Sequence, residues 1–178
     1  MASSPQKVPL EHPPQRIWLH ELCEILAWYE QNLCNAELRD PRGHVVRFST
    51  ERFPHLIKLE PKDGGVLRKA QRQVLAIKNG IKCNADFGGY SEERVQTLPW
   101  IIAAIKRPTQ ILELSSQPVV GEQKAGDTLY VKEFQRAGPK YRFKILVCRR
   151  VGKGLLVPIT CHPRDHNRFP ANYKQVWP

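Results

Sequence analysis

Two neighbouring stretches decide the fold: Thr128-Leu129-Tyr130-Val131-Lys132-Glu133-Phe134 and Arg142-Phe143-Lys144-Ile145-Leu146-Val147-Cys148. Both are rich in β-branched and aromatic residues and alternate with period two, which is the pattern of a β-strand. Ile111–Leu114 before them and Leu155–Thr160 after them have the same character. Residues 118–126, Gly138-Pro139 and Gly152-Lys153-Gly154 divide the four runs. The last two links are short, so the strands they join are expected to be antiparallel neighbours.

Upstream the period changes. Leu19, Leu22, Leu26, Tyr29 and Leu33 fall on one stripe of a helix spanning Arg16 to Leu33. Ala36 to Ser49 reads as a hairpin around Asp40-Pro41-Arg42-Gly43, where proline followed by glycine suits a tight turn. A helix is expected near Leu67–Lys78, after Gly64-Gly65. Another is expected from Ser91 to Arg107, either kinked at Pro99 or restarted at Thr97. The expected architecture is therefore α+β: N-terminal helices and a small hairpin, then a four-stranded antiparallel sheet with helices packed on one face. The proline-spaced residues 1–15 read as a flexible leader, and 16–178 as a single domain.

Charge narrows the function. The net charge is +11 at pH 7, and it is unevenly placed. Residues 1–60 carry seven Lys/Arg against eight Asp/Glu, whereas 61–178 carry 21 against nine. Such asymmetry concentrates positive potential and attracts phosphate backbones. No run of eighteen apolar residues is present to span a membrane, and no basic amphipathic helix favours a membrane surface. Five irregularly spaced cysteines point to a reducing, cytoplasmic setting. Cys161, His162 and His166 lack an upstream Cys-x2-Cys partner, so no metal and no cofactor is expected.

Alternation sorts the strand residues by face. If Leu129, Val131, Phe143, Ile145 and Val147 are buried against the helices, the open face shows Tyr130, Lys132, Phe134, Arg142, Lys144 and Thr160. Cations interleaved with aromatic rings suit a single-stranded nucleic acid, charge for phosphates and flat faces for bases. Metal-free RNA cleavage needs a base for the 2′-hydroxyl proton, an acid for the departing 5′-oxygen and cations around the phosphorane. His55 and His162 are the candidates for proton transfer; Lys132, Arg142 and Arg94 are candidates for stabilising charge. The chain shows no Walker-type loop and no Gly-x-Ser-x-Gly elbow.

The order of several short stretches resembles phage- and prophage-associated nucleases of the barnase–EndoU–colicin–RelE superfamily. They are Phe53-Pro54-His55-Leu56-Ile57-Lys58, Arg94 with Leu98-Pro99-Trp100-Ile101-Ile102, Pro108 with Ile111, Tyr130-Val131-Lys132-Glu133-Phe134, and Val157-Pro158-Ile159-Thr160. The match covers about residues 36–165. It implies a toxin- or effector-like endoribonuclease that leaves a 2′,3′-cyclic phosphate. Carried over residue by residue, His55, Arg94, Lys132 and Thr160 would be catalytic, with Tyr130, Phe134, Arg142, Lys144 and His162 holding RNA. The implied setting is the cytoplasm, reached by delivery into a target cell or carriage on a phage particle. An acidic inhibitor protein is the other expected partner. Two alternatives stand beside this: a nucleic-acid-binding module without catalysis, and a basic domain that docks an acidic protein.

Overall fold

The computed structural model describes residues 9–62, 70–115, 127–135, 141–166, 168–169 and 172–178. The expected breaks at Gly64-Gly65, 118–126 and Gly138-Pro139, and the start of the helix near Leu67, lie outside them. Of the expected leader, residues 9–15 lie inside.

The helices follow the apolar stripes. Leu22, Ile25, Leu26 and Tyr29 are the buried side of α1 (Leu22–Tyr29), which continues as one wider turn through Cys34 and buries Leu33. Pro54 sits in the first turn of α2 (Phe53–Ile57), where its missing N–H costs no helical bond. Lys58 closes α2 in the left-handed conformation at φ 56°. After α3 (Ala70–Lys78) the chain forms α4 (Glu92–Gln96) and α5 (Pro99–Lys106). Ser91 Oγ caps α4 by accepting from Arg94 N, and Pro99 begins α5, so the restart rather than the kink is realised.

The sheet differs from expectation. Among the described residues it has seven strands, not four, and is mixed, not antiparallel, curling into a half-barrel. The hairpin contributes β1 (Leu38–Arg39) and β2 (Val45–Val46). A separate two-stranded sheet pairs β3 (Glu60–Pro61) with β4 (Phe87–Gly89). The long strands are β5 (Gln110–Leu114), β6 (Thr128–Glu133), β7 (Phe143–Gly152), β8 (Leu155–Arg164) and β9 (Tyr173–Trp177). The large sheet runs β1-β2-β8-β7-β6-β5-β9. Its inner four strands are the sequence-predicted meander. Both edges of that meander offered unpaired backbone groups. The hairpin satisfies one edge by pairing β2 parallel to β8, and β9 satisfies the other by pairing antiparallel to β5.

The face assignment is inverted. Ile111, Tyr130, Leu146, Cys148, Leu156 and Cys161 join the main core with side chains from each of α1 to α5. Leu112, Leu129, Val131 and Phe143 form a smaller cluster of their own, covered by Val147, Phe169 and Tyr173. Alternation divides a strand into two sets but does not say which set faces the helices when both become buried. Among the described residues, no helix is long and apolar enough to cross a membrane.

Candidate functional site

The structure brings three of the four carried-over catalytic residues to one place, at the outer edge of β8. β2 pairs with β8 at Leu155 and Leu156; further along β8 no second strand pairs on that side among the described residues, and α2 and α4 pack against β8. The pairing of β7 with β8 skips Ile159: Cys148 faces Pro158 and Val147 faces Thr160. A bulge of this kind bends the strand and re-aims the residue beside it, here Thr160. Arg94 Nη1 then donates to Thr160 Oγ1 at 3.1 Å and to the His55 carbonyl at 3.3 Å. Arg94 touches the backbone of His55, and no carboxylate pairs with Arg94 among the described residues. An arginine held by neutral oxygens keeps its charge and its fork of donors for an anion.

His162 follows two residues after Thr160 on β8. Its Nε2 is buried without a hydrogen-bond partner among the described residues. Burial foremost, and then the charges of Arg164, Arg94, Lys144 and His166, pull its pKa down to about 4. Burial, then Arg52, lowers the pKa of His55 as well. Both imidazoles are therefore neutral near pH 7, and a neutral imidazole is a proton acceptor. Behind the strand Lys144 is 0% exposed, and its Nζ donates to Thr97 Oγ1 at 2.9 Å. Thr97 Oγ1 donates in turn to the Glu93 carbonyl at 2.7 Å, so the lysine braces the end of the helix that carries Arg94.

The remaining predicted residues do not line an open groove. Tyr130 is 0% exposed and gives its hydroxyl to Asp40 Oδ2 at 2.9 Å. Phe134 packs on Trp100 with ring centroids 5.0 Å apart. Lys132 is buried and paired with Glu11 at 3.4 Å. Arg142 is exposed, but it is ion-paired with Glu133. Tyr130, Lys132, Phe134 and Lys144 are thus corrected from a nucleic-acid face to the helix-covered side of the sheet.

Sequence reasoning missed Glu11, Asp40 and Thr97. Asp40 opens an Asp-Pro-x-Gly turn, a position where an aspartate accepts from backbone two residues on, and this signal was readable. Glu11 lies among prolines with no periodicity, and nothing local marks it as a partner of a strand 121 positions away. No group of three or more His, Cys, Asp or Glu is placed to hold a metal among the described residues. Compared with models of known families, with curated proteins and with solved structures, the chain matches none.

Proposed function

We propose that the chain is a metal-independent endoribonuclease whose centre is Arg94, Thr160 and His162, with His55 at its border. The observation that carries this reading is an arginine, bonded to Thr160 and without a carboxylate partner among the described residues, two positions along β8 from a neutral histidine whose Nε2 accepts no hydrogen bond from them. In this reading His162 takes the 2′-hydroxyl proton, Arg94 holds the scissile phosphate through paired N–H donors, and the Thr160 hydroxyl orients the guanidinium. The attack forms the bond from the 2′-oxygen to phosphorus and breaks the bond to the 5′-oxygen, which takes up the proton that His162 has just accepted or one from water, leaving a 2′,3′-cyclic phosphate and a 5′-hydroxyl. The +12 balance of residues 61–178 supports a polyanionic substrate.

One observation favours a second reading, in which the cluster binds RNA without cutting it. Both histidines have lowered pKa values, which supplies a base but no protonated acid for the leaving oxygen. Lys132, the other carried-over charge, is engaged by Glu11.

Purified protein incubated with RNA in EDTA separates the two readings. Cleavage by the wild type that is lost in Arg94→Lys and His162→Gln is the expected result for the nuclease. Intact RNA with salt-dependent binding that Arg94→Ala weakens selects the binding module. RNA cut equally well by His162→Gln rejects the proposed centre.

A further inference from the structure

Positive charge is matched by carboxylates around much of the sheet and unmatched at one place. Glu11 pairs with Lys132 and Arg107, Glu133 with Arg142, and Glu113 with Arg42 and Arg150. Along β8 from Thr160 to Arg164 the balance is different. Arg94 reaches Thr160 at 3.1 Å, Lys144 stands directly across β7 and β8 from Pro163, and Arg164 ends the strand. None of these three cations has a carboxylate within ion-pair distance among the described residues. Their hydrogen-bond partners are neutral: Arg94 holds Thr160 and the His55 carbonyl, Lys144 holds Thr97, and Arg164 Nη1 donates to the Arg168 carbonyl at 3.3 Å.

His162 lies in the middle of this run, and the charges of Arg164, Arg94 and Lys144 all act on it. Lys144 is the costly member. It is 0% exposed, and another cation, Lys132, stands across from it on β6. An ammonium buried without a carboxylate opposes folding, and groups kept in such surroundings cluster at functional centres. Being covered, Lys144 touches no ligand. Its field crosses β8 instead, and buried protein screens that field far less than water does.

Three unmatched cations exceed the charge of an internal phosphodiester, which carries a single negative charge. They suit a group that carries two. In the reaction proposed above the second charge appears midway. The 2′-hydroxyl proton passes to His162 and the 2′-oxygen bonds to phosphorus. The five-coordinate phosphorane then holds two negative charges until the bond to the 5′-oxygen breaks and that oxygen is protonated. We propose that Arg94, Lys144 and Arg164 make this centre selective for a doubly charged oxyanion over a singly charged one, and that Lys144 supplies much of that selectivity from behind the strand. This rests on the reading of Arg94 and His162 as a phosphate site and adds the charge state that the site prefers. A cation felt more strongly by the transition state than by the substrate raises kcat rather than lowering KM.

The probes are sulfate and methyl sulfate, tetrahedral anions that differ by one unit of charge. Each is titrated at constant ionic strength into full-length wild type, Lys144→Met, Arg164→Gln and Arg94→Ala, and binding is read from the His162 imidazole resonances by proton NMR. Wild type is expected to hold sulfate more tightly than methyl sulfate. Lys144→Met should weaken sulfate about ten-fold more than methyl sulfate and raise the pH at which His162 titrates. In EDTA, its kcat on an oligouridylate should fall about ten-fold with KM little changed. Arg164→Gln alters a part-exposed strand end, so it reports on charge even if the Lys144 variant packs differently. It should also lower the preference for sulfate, by less because solvent screens this arginine. Equal losses of both anions in Lys144→Met, with His162 titrating as in wild type, leave only a brace for α4 and overturn the proposal. If Arg94→Ala loses both anions while Lys144→Met and Arg164→Gln bind as wild type, the charge selectivity is refuted and the Arg94 reading stands. If wild type binds neither anion and leaves RNA intact, both fall. The expected sulfate losses without any RNA cleavage support the selectivity and sink the nuclease reading.

Discussion

Replacing Lys144 by Met is expected to stabilise the protein. Lys144 is 0% exposed, stands opposite Lys132, and makes a side-chain hydrogen bond to Thr97 Oγ1 at 2.9 Å. Methionine has a similar length and volume, so the packing is kept. Thr97 Oγ1 still donates to the Glu93 carbonyl in the variant, so no buried donor is orphaned. The losses are the hydrogen bond to Thr97 and the interaction with the Cys161 thiol, together about 2 kcal/mol. The gain is removal of a buried ammonium, whose desolvation costs several kcal/mol. A net gain of about 2 kcal/mol raises Tm by about 4–8 °C in a chain of this size. The gain should also depend on pH. Burial lowers the Lys144 pKa below the ordinary 10.5. The unfolded chain therefore holds this proton more readily than the folded one, and stability rises with pH between the two values. The penalty that the methionine removes is fully present below the folded pKa and fades as pH approaches 10.5. Differential scanning calorimetry of both proteins at several pH values between 6 and 10 measures this. A variant less stable than wild type at pH 7, or a gain that grows with pH, refutes the reasoning.

Three further outcomes are expected. Asp40→Ala removes the acceptor for the Tyr130 hydroxyl, for the backbone N–H groups of Arg42 and His44, and for the Arg42 guanidinium. It should cost about 3–5 kcal/mol, read as a lower urea midpoint. His162 should titrate near pH 4 by proton NMR, and higher in Arg94→Gln, because the Arg94 charge helps to lower it. Its folded pKa lies below the ordinary 6.5, so this group withdraws stability as pH falls through that window. Lys58→Gly should raise stability by about 1 kcal/mol, because an exposed lysine now holds the left-handed position that closes α2.

The meander was legible because alternation in Thr128–Phe134 and Arg142–Cys148 is local. Its inside was not, because hydropathy assigned Lys132 and Lys144 to solvent. Nothing near them in sequence announces Glu11 or Thr97, the residues that make their burial tolerable. β9 escaped notice because Tyr173-Lys174-Gln175-Val176-Trp177 is half polar; its strand character comes from the edge of β5 that it pairs with. At the site, Arg94, His55 and Thr160 were legible as an ordered set. Their meeting depends on the bulge at Ile159, which the run Val157-Pro158-Ile159 does not by itself disclose. The weight placed on Tyr130 and Phe134 failed for one physical reason. A ring on a strand is as well suited to a core as to a base, and here both rings are under 2% exposed.

The most direct measurement compares cleavage, in EDTA, of an oligoribonucleotide with that of the same oligomer carrying 2′-deoxy sugars at every position. Attack by the 2′-oxygen under Arg94 and His162 predicts that the ribose oligomer is cut to a 2′,3′-cyclic phosphate end while the deoxy oligomer survives. Equal cutting of both, or cutting of neither, contradicts the nuclease centre proposed at Arg94 and His162.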